Sequence, residues 1–250
     1  MPHCYIERVA ARVLGDLHTV LLTVDLAGGA NGEVEVNAVA KVPGNIVALD
    51  GLASVGGTRA VLEFEIEDPR FWRPGDPFLY DLDVTLKENG RRLDGVTSYF
   101  GMRTVDLTDR EFLLNEEPMY LKLVLDQGFY PDGIYTAPTD AALRRDIKLS
   151  MAAGYNGARL HQKVFEPRFL YWADRLGYLC WGEAPDWGAD LSNPVAQANL
   201  LREWTEIVRR DEMHPSIVAW AATNEQHPVS PKRGAKGEYL AMLQRTIKQL

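Results

Sequence analysis

The chain has 250 residues, 46% of them hydrophobic and 25% charged, with a net charge of −8. These fractions are those of an ordinary globular protein and exclude a disordered, collagen-like or coiled-coil chain. The absence of an apolar run of ~18 residues excludes a spanning helix, so no membrane partner is expected. An acidic balance, with 27 Lys and Arg spread along the chain, argues against nucleic acid as a partner. Cys4 and Cys180 stand alone, outside any CxxC or Cys/His spacing, so neither a disulfide framework nor a structural zinc site is expected. The start, Met1-Pro2-His3-Cys4, has no basic and apolar leader. That favours a cytoplasmic setting over export, unless the start has been trimmed.

Residues from about Tyr5 to Asp106 read as all-β. Alternating runs at Thr19 to Val24, Glu33 to Val36, Ala60 to Ile66 and Tyr80 to Leu86 are separated by turn residues. The clearest turns are Ala27 to Gly32 and Glu88-Asn89-Gly90-Arg91. About seven short strands in ~100 residues fits an immunoglobulin-like β-sandwich over residues 1–107. No titratable cluster emerges there, so this half reads as a structural or spacer module.

The period changes over residues 108–250. Met119 to Leu125 reads as a buried strand, and a helix follows from Asp140 to Ala153, with Leu143, Ile147 and Met151 on one stripe and Gly154 as its stop. Next come a strand from Asn156 to Leu160 and a helix opened by Pro167, burying Phe169, Leu170, Ala173 and Leu176 and ending at Gly177. A strand from Tyr178 to Gly182 precedes a helix from Pro194 to about Met213, whose stripe is read as Val195, Ala198, Leu201, Trp204 or Thr205, and Val208. The strand Ile217 to Thr223 and a helix near Glu238 to Leu250 complete the pattern. Alternating strands and helices imply a parallel sheet. Four such units in ~140 residues make half of a (β/α)₈ TIM barrel, which typically takes ~250. The fold class is therefore multidomain, β followed by α/β. Half a barrel leaves strand edges unpaired, so association, possible as a homo-oligomer, is expected.

Reactive groups in such sheets gather at the carboxyl ends of the strands. The four exits deliver Asp126 and Gln127, then Arg159, His161 and Gln162, then Glu183, then Asn224 and Glu225. Glu225 ends the apolar run Ile217 to Ala222. Loss of solvation at a barrel rim would raise its pKa toward that of a neutral-pH proton donor; the rival role is helix-start or ion-pair carboxylate. Glu183 is open to three readings. It completes a carboxylate pair with Glu225, since adjacent strands lie ~4.8 Å apart and retaining glycosidases hold their carboxyls ~5–5.5 Å apart; or it orients Arg159 or a substrate hydroxyl; or it forms a buried ion pair with Arg159. Arg159 and His161 share one face of a strand. Trp181, Trp187, Tyr130 and Tyr135 offer flat faces suited to the C–H side of a sugar, or are core.

Trp72-Arg73-Pro74-Gly75-Asp76-Pro77-Phe78-Leu79-Tyr80-Asp81-Leu82, Phe100-Gly101-Met102-Arg103 and Phe112-Leu113-Leu114-Asn115-Glu116-Glu117-Pro118 together resemble the sandwich-to-barrel junction of glycoside hydrolase family 2. Gly154 to Arg159, Trp172 to Gly177, Glu183, Arg210 to Trp220 and Asn224-Glu225 follow in the family's order and spacing. The family contains β-galactosidases, β-glucuronidases and β-mannosidases. The resemblance implies a retaining exo-β-glycosidase acting on a carbohydrate, β-galactosidase-like first and β-glucuronidase-like next. It implies Glu225 as acid/base and Asn224 on the sugar 2-hydroxyl, with Arg159, His161, Glu183, Asp126 and Trp187 around the substrate. The nucleophilic glutamate then belongs to a later strand, beyond Leu250, which resolves Glu183 as support and leaves these 250 residues hydrolytically silent by themselves.

Three departures stand out. Many members of the family have Ser-His-Tyr-Pro shortly after the strand-two arginine, whereas Leu160-His161-Gln162-Lys163 follows Arg159 here, so His161 is one place early and Gln162 stands at the usual histidine place. The run Glu183-Ala184-Pro185-Asp186-Trp187 lacks the Glu and His of a magnesium site, so neither metal nor cofactor is expected. The loop Leu125 to Gly133 differs from the galactosidase form, and the jelly-roll module that commonly precedes the sandwich is not found. The competing reading is a non-catalytic carbohydrate-binding or structural protein on a degenerate barrel.

Overall fold

A computed structural model describes residues 2–29, 33–42, 45–54, 57–226 and 235–249. The chain divides into two compact units, Met1–Met119 and Tyr120–Leu250.

In chain order the first unit holds β1 (Cys4–Val13), β2 (Thr19–Gly28), β3 (Val34–Val42), β4 (Asn45–Ser54), β5 (Arg59–Glu65), the short pair β6 (Trp72–Arg73) and β7 (Asp76–Pro77), β8 (Tyr80–Glu88) and β9 (Arg91–Phe100). A meander of β10 (Val105–Leu107), β11 (Phe112–Leu114) and β12 (Glu117–Pro118) follows. Two antiparallel sheets result, ordered β1-β2-β5 and β4-β3-β8-β9. Strict alternation explains their common core: Val20, Leu22 and Val24 from β2, Val34 and Val36 from β3, and Leu82, Val84 and Leu86 from β8 are all buried. Phe64 of one sheet meets Phe100 of the other edge-on, with centroids 6.1 Å apart, and Phe100 stacks on Tyr80 at 5.2 Å. Asn89 and Gly90 both have positive φ, 49° and 76°, which is the hairpin turn expected of Asn-Gly. Of the other expected turn, Ala30 to Gly32 lie outside the described residues.

The meander belongs with this unit for a specific reason. Asn115 donates from Nδ2 to the Trp72 carbonyl at 3.1 Å and accepts the Thr104 N–H at 3.1 Å, tying the β11–β12 turn to the buried Trp72. The structural division therefore falls at Met119, after the Leu107 boundary read from the sequence.

The second unit contains β13 (Leu123–Asp126), α1 (Asp140–Ala152), β14 (Gly157–Leu160), α2 (Pro167–Leu176), β15 (Leu179–Glu183), α3 (Pro194–Asp211), β16 (Ile217–Ala221) and α4 (Ala235–Gln249). The strands form one parallel sheet in sequence order. Capping sets the helix ends: Thr139 Oγ1 accepts the Ala142 N–H, Pro167 opens α2, and Gly177 closes it in the left-handed conformation at φ 71°. Leu143 and Ile147 of α1 and Phe169, Leu170 and Ala173 of α2 pack on Ala158, Leu160, Cys180 and Ile217 of the sheet. The stripe read for α3 needs correction, because Val195 is 67% exposed and Ala198 is also exposed. The buried face is Leu200, Trp204, Val208 and Asp211. Trp204, fully buried, goes with that rotation and packs edge-on against Trp220 at 5.4 Å. Among the described residues no helix is long and apolar enough to cross a membrane.

Gly182 lets Trp220 approach closely beneath the site, since a Cβ there would drive into the six-membered ring of Trp220. Gly182→Ala is expected to cost about 1–3 kcal/mol by overpacking, read as a lowered urea midpoint; an unchanged midpoint would show that Trp220 yields freely.

Candidate active site

The parallel register puts Arg159 of β14 beside Trp181 of β15, and Glu183 beside Ala221 of β16. Arg159, Trp181 and Glu183 thus share the sheet face opposite the helix-packed Ala158, Leu160 and Cys180. Glu183 is 1% exposed. A carboxylate this deep needs donors on both oxygens. Arg159 supplies Nε at 2.7 Å and Nη2 at 2.6 Å to Oε2, and the Gln162 N–H reaches Oε1 at 3.0 Å. Gln162 offers that N–H because its backbone turns left-handed at φ 54°. His161 Nδ1 lies 2.8 Å from Oε1 but off the line of a hydrogen bond.

Arg159 also bridges to the last strand exit, with Nη2 2.7 Å from Asn224 Oδ1. A guanidinium has no acceptor, so this contact fixes the Asn224 amide with its oxygen on Arg159 and its NH₂ turned away. That Nδ2 is buried with no partner among the described residues, as an amide kept for a ligand oxygen would be. The Asn224 backbone is held as well, its N–H lying 3.1 Å from each oxygen of Asp186. Asp186 is fully buried. Burial pushes its carboxyl above the usual range, while the Asn224 N–H and the Gln226 side chain pull it partly back.

Glu225 does not show, among the described residues, the desolvated rim expected of it. Its side chain is exposed, and its backbone is left-handed at φ 53°. It follows β16, the edge strand of this sheet, so no neighbouring strand among the described residues walls it in. Asp126 also departs from expectation. It pairs in register with Leu160, not with Arg159, and so faces the helix side. There burial raises its pKa and nearby Asp146 adds to this, against the Gly128 N–H at 2.8 Å and Lys163, which lower it. Trp187 is 70% exposed at the tip of the loop after β15. The structure therefore brings Arg159, His161, Glu183 and Asn224 together, sets Glu225 next to them in the chain, and leaves Asp126 and Trp187 outside the hydrogen-bonded cluster.

Two contributors were not foreseen. Asp186 carries a signal only in retrospect, as an acid between Pro185 and Trp187 at a strand exit. Lys163 donates to the Gly128 carbonyl at 2.7 Å and the Tyr135 carbonyl at 2.8 Å, pinning the first loop from the second. No sequence pattern announces a bond between two loops. Among the described residues no three His, Cys, Asp or Glu side chains converge as a metal site would require.

The family model for glycosyl hydrolases family 2 matches residues 4–103, and that for the family's TIM barrel domain matches residues 105–250. The chain belongs to glycosyl hydrolases family 2. It is 30% identical to a β-glucuronidase of Chlorocebus aethiops over 97% of this chain and 38% of that protein. It is 28% identical to a putative β-glucuronidase of Formosa agariphila over 83% of this chain and 25% of that protein. A β-galactosidase of Thermoanaerobacter pseudethanolicus is 30% identical over 64% and 22%. In fold, the whole chain superposes on 42% of a β-glucuronidase from Ruminococcus gnavus bound to uronic isofagomine, with a TM-score of 0.81 at 20% identity. The chain thus spans less than half the length of these family 2 relatives.

Several of the residues that carry the family resemblance are clasps of the scaffold. The buried Asp174 accepts from His214 Nδ1 at 2.5 Å and from the Ser216 N–H at 3.0 Å, fixing the turn into β16. Arg210 holds Asp211 with two bonds and reaches the Phe165 carbonyl at 2.9 Å.

Arg159→Met would strip Glu183 of its charged partner. The expected loss is about 2–3 kcal/mol, below the ~3–5 of fully buried pairs because the Arg159 side chain is 35% exposed. Glu183→Gln in the same background should recover part of it in urea unfolding, and purely additive losses would show that the pair is uncoupled.

Proposed function

We propose that the first unit, Met1–Met119, is built on an immunoglobulin-like sandwich and that the second, Tyr120–Leu250, is the first four β/α units of a (β/α)₈ barrel, within a retaining exo-β-glycosidase that removes terminal β-linked sugars. The observation that carries this reading is the division of labour between the two glutamates. Glu183 has both oxygens occupied by Arg159 and Gln162, which makes it an orienting group rather than a nucleophile. Glu225 is exposed, next to an Asn224 whose NH₂ has no partner among the described residues.

In this mechanism the Asn224 amide donates to a sugar hydroxyl, with its direction set by Arg159. Glu225 protonates the leaving oxygen while a second carboxylate, supplied from outside these residues, attacks the anomeric carbon. Glu225 then takes a proton from the water that releases the sugar. No step calls on a metal. For the sugar itself, the relatives described above are named β-glucuronidase more often than β-galactosidase, so we place the uronide ahead of the galactoside, reversing the order read from the sequence.

In the full-length protein, Glu225→Gln is expected to lower kcat on aryl glycosides with poor leaving groups by about 10²–10⁴. Added azide should restore turnover of activated substrates and yield the β-glycosyl azide. Wild-type rates without azide dependence would remove Glu225 from the acid/base role. The 250 residues expressed by themselves should bind sugar weakly and release none; Glu225-dependent hydrolysis by this segment would return Glu183 to the catalytic pair. A panel of nitrophenyl β-glucuronide, β-galactoside and β-mannoside decides the sugar.

A further inference from the structure

The loop leaving β15 grips the catalytic dipeptide from both sides. The two Asp186 oxygens share the Asn224 N–H, each at 3.1 Å, and the Asp186 carbonyl accepts Gln226 Nε2 at 3.3 Å. Glu225 lies between these anchors, in a left-handed backbone conformation that a residue with a Cβ adopts reluctantly. A conformation of that kind persists only where its surroundings over-determine it. Asp186 is itself an expensive choice for the purpose, a carboxylate with no exposed surface whose protein partners are an N–H and an amide, and which Glu183 repels. An apolar residue would fill the same space more cheaply but could not accept the Asn224 N–H.

We infer that Asp186 is a positioning residue. By holding the Asn224 N–H it fixes the left-handed turn at Glu225, and so sets the direction from which the Glu225 carboxyl meets the glycosidic oxygen. The inference rests on the acid/base role proposed for Glu225. It makes the loop that carries Trp187 a working part of proton transfer, because Asp186 and Trp187 are adjacent in that loop.

A misdirected acid harms a reaction in proportion to how much the leaving group needs a proton, whereas general damage to the fold slows every substrate alike. The full-length protein is therefore assayed as wild type, Asp186→Ala, Asp186→Asn and Glu225→Gln on aryl β-glycosides of graded leaving-group acidity. For Asp186→Ala, kcat/KM on phenyl glycosides is expected to fall at least about tenfold, with kcat/KM on dinitrophenyl glycosides within about twofold of wild type; kcat/KM reports the glycosylation step alone, so the base-assisted release of the sugar does not enter it. Asp186→Asn keeps one acceptor oxygen and should fall between; if the alanine variant does not fold, the asparagine variant carries the same comparison. A steep leaving-group dependence in Glu225→Gln, with a uniform loss or none in the Asp186 variants, would overturn the positioning role and leave the acid/base assignment standing. A flat response in Glu225→Gln would overturn that assignment, and with it this inference.

Discussion

A single buried carboxylate organises the carboxyl edge of the sheet. Glu183 is removed from water at a strand end, and an unpaired charge there would cost more than a small domain can absorb. Its needs dictate the neighbours. Arg159 must stand on the adjacent strand in register with Trp181, and the chain after His161 must turn left-handed to offer the Gln162 N–H. Once Arg159 is placed, its second face fixes the Asn224 amide on the far side of β15. Three strand exits are thereby locked to one another through one ion pair, and the residue left outside the lock is Glu225. Rigid donors beside an unencumbered carboxyl are what proton transfer to a bound substrate asks for.

How much of this could be read from residues alone depended on the range of the forces involved. The sheets of the first unit and the helices of the second followed from periodicity, because alternation at Val20, Leu22 and Val24 or the spacing of Leu143 and Ile147 is a local record of which side is buried. The rotation of α3 was misread because Val195 and Ala198 are apolar but lie near the start of the helix, where they find no partner. The contact that goes with the observed rotation, Trp204 on Trp220, joins residues on different elements. Of the residues named at the strand exits, Arg159, His161, Glu183 and Asn224 lie together in the structure. Asp126 went astray because one step along a strand reverses the face, and its register against β14 is not written in the sequence. Asp186 and Lys163 escaped notice for a related reason, since each acts on a loop distant in the chain.

Glu225 lies just past the end of the last described strand. Desolvation was expected there, as for a carboxyl at the end of an apolar strand. Among the described residues the apolar run Ile217 to Ala221 ends before Glu225, whose side chain is exposed. Under the proposed barrel, the strands that follow β16 would supply the wall that excludes water from this carboxyl.

The departure at Gln162 becomes intelligible on the same grounds. Many family members carry a histidine at this place, and a glutamine would seem to dismantle the site. The group that Glu183 receives from position 162 is, however, the backbone N–H, delivered by a left-handed turn rather than by a particular side chain. Backbone donors tolerate sequence change, so the carboxylate stays satisfied while the side chain varies. The Gln162 amide is buried with its Nε2 unpaired, like that of Asn224. Selectivity at this site is therefore expected to reside in side chains that the scaffold does not need, with Glu183, Arg159 and Asp186 keeping the frame constant beneath them.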